Sequence, residues 1–259
     1  MKERIKSIFF RIWYWYISTV DRDAEVIFMN YGFSKDNYRL ELPKHHEKHR
    51  YSIQLYDFVA SGADINGKDI LEIGCGRGGG LSYINRVYNP KSATGIDLNQ
   101  KAINFCNSFY HGENITFLKG DAQVLDFQDE FFDVVINVES SHRYNEVDKF
   151  INEVHRVLKP GGVFLFADFR HKTKLKELNE HVDKSTFSPV YSQSITPHVL
   201  EALQLSTEDR ISLIKKIAPF FLHGLGKKFA ATEGTPTYMK FLTEEWEYFF
   251  MILKKTSGY

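Results

Sequence analysis

Cysteine is scarce in this chain. Two occur in 259 residues, Cys75 in a glycine-rich turn and Cys106 in an expected helix. That excludes a disulfide framework and makes a reducing cytoplasm the expected setting. Net charge is missing too, since 33 Lys and Arg balance 33 Asp and Glu. A nucleic-acid partner usually leaves a basic footprint, so that class is set aside. No apolar run is long enough to cross a bilayer. The most aromatic stretch, residues 1–20 (MKERIKSIFFRIWYWYISTV), is interrupted by Arg11 and followed by no small-residue cleavage site. We therefore expect neither a transmembrane span nor a signal peptide here. Two readings of it stay open: a lid helix packed on the domain, or an interfacial helix making peripheral membrane contact. His45, His46 and His49 fall in an expected helix over 44–60, where we expect a solvated face and no metal site. With 43% hydrophobic residues the chain can bury the core of one large domain.

What the chain does have is glycine, concentrated in one place. Residues 68–80 read KDILEIGCGRGGG. Ile70, Leu71 and Ile73 form a short apolar run suited to a strand buried on both faces. Gly74, Gly76, Gly78, Gly79 and Gly80 follow, and Leu81, Tyr83, Ile84 and Val87 then recur at helical spacing. A strand that enters a glycine turn opening a helix binds small ligands. Glycine permits positive φ and close approach, and the helix start offers unpaired N–H groups to an anion. Gly74-x-Gly76-x-x-Gly79 also matches the dinucleotide fingerprint, but Glu72 inside the strand argues for another ligand. A pyrophosphate gains nothing from a neighbouring acid. A ligand carrying both an ammonium and a carboxylate does, and the methionine end of S-adenosylmethionine is such a ligand.

Downstream, strands and helices alternate. Residues 93–98 (ATGIDL) read as a second strand ending at Asp97. An acid about twenty residues after the glycines can accept both ribose hydroxyls of an adenosine. Ala102, Ile103, Cys106 and Phe109 mark the next helix, and residues 115–118 a third strand. Gly120-Asp121-Ala122 follows, where an acid suits the adenine amino group and the backbone suits the ring edge. Residues 132–138 read as a fourth strand. Val147, Phe150, Ile151, Val154, Val157 and Leu158 form one apolar helical stripe, which residues 159–162 (KPGG) end with breakers. Residues 163–169 make a fifth strand. This alternation predicts an α/β fold with a doubly wound parallel sheet.

These motifs, LEIGCGRGGG, GIDLN, GDA, FFDVVINVESSH and VLKPGGVFLFAD, resemble in order and spacing the class I S-adenosylmethionine-dependent methyltransferases, over residues 69–170. The flanks YWYISTVDRDAEVIFMNYGFS and SITPHVLEAL, with NVESSH between them, are similar to phthiotriol and phenolphthiotriol dimycocerosate methyltransferases. They are also similar to natural-product sugar O-methyltransferases of the demethylrebeccamycin-glucose type. The resemblance implies a Rossmann-like seven-stranded sheet with N-terminal helices and a helical lid insertion near the C-terminus. It divides the chain into a cap, 1–60, and a methyltransferase domain, 61–259, with a substrate-covering insertion within 171–245. It implies S-adenosylmethionine as cofactor and S-adenosylhomocysteine as product. By the same resemblance Glu72, Gly74, Cys75 and Gly76 hold the methionine moiety, Asp97 with Leu98 the ribose, and Asp121 with Ala122 the adenine. Asn137 matches a position that meets the methionine amino group. Tyr31 joins the set as a ring that stacks on or hydrogen-bonds the ligand, with an aromatic anchor in the core as the alternative.

An aliphatic hydroxyl is a poor nucleophile and sheds a proton as it is methylated, so it needs a base. His142 stands just past the fourth strand and Asp168 ends the fifth, on the ligand-binding edge of a parallel sheet. Those strands are neighbours in the class I fold, so Asp168 is expected to orient His142 and stabilise its cation. Glu139 is the reserve base. Asn137-Val138-Glu139-Ser140 lacks the prolines and aromatic of nucleobase N-methyltransferases. The reading is O-methylation of a hydroxyl on a small or lipophilic metabolite: a natural product, glycoside or lipid. C-methylation of a quinone, sterol or polyketide-like acceptor stays open, as does a non-catalytic cofactor-binding scaffold. Beyond residue 171 a helix over 175–182, a strand over 188–196 and a last antiparallel strand over 246–253 are expected. Phe220, Phe221 and Leu222 are read as core that edges a greasy pocket, and Lys227-Lys228 as a solvated pair.

Overall fold

The computed structural model describes residues 19, 21, 24–36, 38–112 and 114–256. The aromatic helix expected over 1–20 lies outside these, Thr19 apart. In chain order the elements are α1 (Arg50–Ala60), β1 (Asp69–Ile73), α2 (Gly79–Tyr88), β2 (Ser92–Asp97), α3 (Gln100–Phe109), β3 (Ile115–Lys119), β4 (Phe132–Val138), α4 (Val147–Val157) and β5 (Leu158–His171). They continue with α5 (Lys172–Lys184), β6 (Phe187–Ser194), α6 (Thr196–Leu205), α7 (Thr207–Ile217), α8 (His223–Phe229), α9 (Pro236–Leu242) and β7 (Trp246–Lys255). The strands form one sheet in the order β3-β2-β1-β4-β5-β7-β6. β1 to β5 run parallel, and β7 lies antiparallel between β5 and β6.

The apolar runs of the central strands cover both faces of this sheet. Along β5, Leu165 and Ala167 enter a core shared with α1, α2, α3 and α6. Phe164 and Phe166 point to the opposite core, beside Phe150, Ile151, Val154 and Val157 of α4 and Leu175 and Leu178 of α5. Side chains of a strand alternate between faces, so a run with no polar gap needs helices on both sides. The α4 stripe is buried as its spacing anticipated.

Three expectations need correction. The segment 44–60 is not one α-helix: Lys44–His49 forms a tighter 3-10 segment before α1 begins. β5 starts at Leu158, five residues before Val163, because the breakers KPGG form a bulge within the strand. Leu158 pairs with Phe132, the register shifts, and pairing resumes at Val163 opposite Val134. Gly161 takes φ +78° there, and the bulge absorbs a proline that has no N–H for the ladder. Third, Phe220 and Phe221 are not core, being 88% and 79% exposed. They lie in a three-residue 3-10 turn after Pro219, too short to fold a face back on the domain.

The strand order reverses between β1 and β4. Chain from β1 winds outward to β2 and β3, and chain from β4 winds the other way. The crevice at the carboxyl ends of these two strands is where open α/β sheets bind ligands. The glycine turn leaves β1 there, and residues 139–146 leave β4 beside it.

Candidate functional site

The glycine turn is pinned to β2. Gly74 N and Cys75 N both donate to Ile96 O, at 2.8 and 3.0 Å. Gly76 N donates to Asp97 Oδ2 at 2.9 Å, and Asn99 N to Oδ1 at 2.8 Å. Asp97 is thus aimed by two backbone donors, and burial raises its carboxyl above the ordinary value against their pull. Leu98, the next residue, is exposed, Cys75 is buried, and burial pushes the Cys75 thiol well up, which makes it an inert filler. Asp121 lies on the exposed turn after β3, accepting from Gln123 N at 2.9 Å, and Ala122 beside it is buried.

Gly74 takes φ +77°, and a Cβ there would meet Ser140 Oγ at 1.9 Å and Tyr144 OH at 3.1 Å. The two hydroxyls bond each other at 2.6 Å. Gly74→Ala therefore combines backbone strain with a clash. A left-handed non-glycine residue costs about 1–3 kcal/mol, so the melting temperature should fall by roughly 3–10 °C in thermal unfolding.

Two buried oxygens, one near the end of β1 and one near the end of β4, have no hydrogen-bond partner among the described residues. Glu72 is fully buried, and its Oε1 accepts from Tyr56 OH at 2.7 Å while Oε2 is unpaired. Asn137 Nδ2 donates to Ile73 O at 2.8 Å and to Tyr144 OH at 3.3 Å, leaving Oδ1 unpaired. Buried acceptors without donors are rare and costly, and these two belong to neighbouring strands, β1 and β4, near the ends that open on the crevice.

Burial pushes the Glu72 carboxyl up to about 7 from an ordinary value of 4.5. The folded state therefore holds a proton that the unfolded chain releases. This stabilisation is full below about pH 4.5 and is lost as pH rises through about 7, on the order of 3 kcal/mol in all. Denaturant titrations of the ligand-free protein should show a decline over that range, to which Glu139 with its raised carboxyl also contributes, and Glu72→Gln should make it shallower.

Across the crevice, His142 sits in a 3-10 turn, Ser141–Arg143, after β4. Its Nδ1 lies 2.8 Å from Asp168 Oδ1 on β5. Arg143 Nε donates to its Nε2 at 3.1 Å. With a carboxylate on one side and a guanidinium donor on the other, the ring is the neutral tautomer with its proton on Nδ1 and its lone pair on Nε2. Burial lowers the imidazole below its ordinary value, against the pull of Asp168. Asp168 is fully buried and also accepts from Ser141 Oγ (2.6 Å), His142 N (2.9 Å) and Phe169 N (2.8 Å). Arg170 lies 3.1 Å from its Oδ2 and donates to Ser141 Oγ at 2.8 Å. Burial alone would raise this carboxyl; Arg170 and His142 outweigh it and hold it well below the carboxylate range.

Glu139 follows β4 with φ +47°. Its Oε1 accepts from Tyr31 N at 2.6 Å and from Tyr248 OH at 3.0 Å. Burial pushes its carboxyl up to about 8, against the pull of the Tyr31 N–H and the Tyr248 hydroxyl. Glu139 clamps the chain at Tyr31 to β7. The Tyr31 ring lies against Phe169 and Phe241, at 5.3 and 5.6 Å between centroids. Phe169 also stacks on Trp246 at 5.0 Å and touches the His142 ring at 4.3 Å. The imidazole therefore sits at the rim of an aromatic wall built from β5, β7, α9 and the chain at Tyr31.

Comparison with known proteins bears on what this edge does. A family model described as a methyltransferase domain matches residues 71–166. The fatty-acid O-methyltransferase of Mycolicibacterium smegmatis is 39% identical over 80% of this chain and 76% of its own length. The probable phthiotriol/phenolphthiotriol dimycocerosates methyltransferase 2 of Mycobacterium ulcerans is 38% identical over 88% of this chain and 90% of its own. The chain belongs to the class I S-adenosylmethionine-dependent methyltransferases. Its fold agrees: geranyl diphosphate C-methyltransferase from Streptomyces coelicolor, solved with S-adenosyl-L-homocysteine, superposes with a TM-score of 0.66 at 17% identity. That match covers 88% of this chain and 91% of that one. The methyltransferase therefore uses S-adenosylmethionine as methyl donor, and the scaffold alternative falls away.

Several residues at this edge were not singled out from the sequence. Tyr56 reaches Glu72 from α1, and Ser141 and Arg170 flank Asp168. Ser140 and Tyr144 stand over Gly74. Only Ser140 and Ser141 carried a signal, by lying in the quoted stretch NVESSH.

Proposed function

We propose that this methyltransferase methylates a hydroxyl group on a lipophilic metabolite, with His142 as general base. The observation that carries the reading is the Asp168–His142 pair, which leaves a lone pair on Nε2. When bound, S-adenosylmethionine supplies a methyl group already activated on a sulfonium, so the protein's task is alignment and proton removal. Glu72 and Asn137, each with an unpaired buried oxygen, are suited to the ammonium of the methionine end. The start of α2 after the glycine turn is suited to its carboxylate, and the Ser140 and Tyr144 hydroxyls stand over Gly74. Asp97 is the ribose acceptor, and the Asp121–Ala122 turn receives the adenine. Cys75 and Leu98 shape the walls of that groove by packing.

The acceptor hydroxyl takes the place of Arg143 Nε against His142 Nε2 and gives up its proton there as the methyl group arrives. Asp168 stabilises the resulting imidazolium and keeps Nδ1 protonated throughout. Arg170 and Ser141 keep Asp168 ionised and fixed. The aromatic wall of Tyr31, Phe169, Phe241 and Trp246 receives the apolar body of the acceptor, and α6 to α9, inserted between β6 and β7, cover it. The names of the relatives support a lipophilic acceptor, one describing a fatty-acid O-methyltransferase and the other a phthiotriol/phenolphthiotriol dimycocerosates methyltransferase.

The test is an acceptor screen that reads S-adenosylhomocysteine formation. Long-chain alcohols, diols and lipid glycosides should support turnover, and water-soluble amines should not. Turnover confined to the amines would overturn the reading.

A further inference from the structure

α7 and α8 are joined by Pro219 and the turn Phe220–Leu222. Phe220 and Phe221 are the most exposed large apolar side chains among the described residues, at 88% and 79%. Beneath the turn, Ile217, Leu222, Leu225 and Phe229 pack on Ile214 and Ala218 as a small cluster of their own. Val26 joins it from the N-terminal side. The turn is therefore anchored, and the two rings stand beyond the anchor, mostly exposed, with Phe220 only edging the His223 ring at 5.6 Å between centroids. A single exposed apolar residue is ordinary, but an adjacent pair of phenylalanines at the tip of a held turn forms a patch.

Charge is segregated around that patch. Residues 211–232 hold four lysines and no acidic residue, in a chain whose total charge is zero. Lys215 and Lys216 end α7, and Lys227 and Lys228 end α8. Lys216 pairs with Glu25 at 2.9 Å. Lys215 and Lys228 are exposed and Lys227 is half-buried. Paired aromatic rings flanked by ammonium groups suit an anionic lipid interface. The rings enter the headgroup boundary, and each lysine gains from the negative surface potential.

We propose that the Phe220–Phe221 turn, flanked by Lys215, Lys227 and Lys228, docks this protein on an anionic membrane surface. This goes beyond the function proposed above and does not depend on it. α9, which carries Phe241 of the aromatic wall, packs against α8. Docking through this turn therefore sets the acceptor wall and the lipid surface on one insertion.

The experiment is co-sedimentation of the full chain with vesicles of phosphatidylcholine, alone or with about one-third phosphatidylglycerol. The protein should pellet with the anionic vesicles, less so at high salt. F220S/F221S should weaken that partitioning about tenfold or more, and K215S/K228S should weaken it and reduce the salt effect. Both variants should bind S-adenosylhomocysteine as the parent does, which separates lost docking from lost folding. Failure of the parent to pellet, equal pelleting of F220S/F221S, or a lipid-free dimer that F220S/F221S dissolves would each overturn the proposal. The last would assign the face to a second copy of the chain.

Discussion

Asp97→Ala should lower the affinity for S-adenosylmethionine and S-adenosylhomocysteine about 100-fold or more. Hydrogen bonds to a charged acceptor are worth about 1.5–3 kcal/mol each, and 1.4 kcal/mol is about tenfold in affinity. Two such bonds to ribose hydroxyls account for the loss. The variant also removes the acceptor of Gly76 N and Asn99 N, while Gly74 N and Cys75 N still hold the glycine turn to Ile96 of β2. Asp97→Asn keeps one carbonyl acceptor and should fall between. Calorimetric titration checks both, and an unchanged affinity in Asp97→Ala would remove Asp97 from the site.

His142→Ala should cut turnover on an alcohol acceptor about 100-fold or more, the usual scale for a positioned base. The Michaelis constant for the methyl donor should hold, because His142 lies on the turn after β4 and not in the glycine turn after β1. A carboxylate acceptor is already ionised and needs no base, so on a fatty acid the same variant should lose little. The pH profile adds an independent check. A base works when deprotonated, so kcat/KM of the parent should rise with pH through the His142 value, which burial sets below that of free imidazole. In His142→Ala that limb should vanish. Equal losses on alcohol and acid would make His142 a shaping residue.

What could be read in advance follows chain locality. Glu72, the glycines and Asp97 stand at fixed positions at the ends of two consecutive strands, and the parallel pairing of β1 and β2 brings them to one edge of the sheet. The His142–Asp168 contact was legible because parallel neighbours bring their carboxyl ends to one edge. Tyr56 was not, because its bond to Glu72 joins a helix to a strand with no spacing rule between them. Arg170 was not singled out, since only its burial beside Asp168 sets it apart from other basic residues. The Glu139 clamp depends on a positive φ and on Tyr31 and Tyr248, more than a hundred residues away in each direction. Phe220 and Phe221 were misread because hydrophobicity alone does not say whether a turn folds its side chains inward. The KPGG bulge was misread because breaker residues also occur within irregular strands.

The most direct test of the account is the position of the transferred methyl group. S-adenosylmethionine carrying a carbon-13 methyl is turned over with the best lipophilic alcohol from the acceptor screen, and the product is read by carbon NMR. The account predicts a methoxyl signal on the former hydroxyl, strongly reduced in His142→Ala. A signal from methyl bonded to carbon, or a methoxyl signal undiminished in His142→Ala, would contradict it.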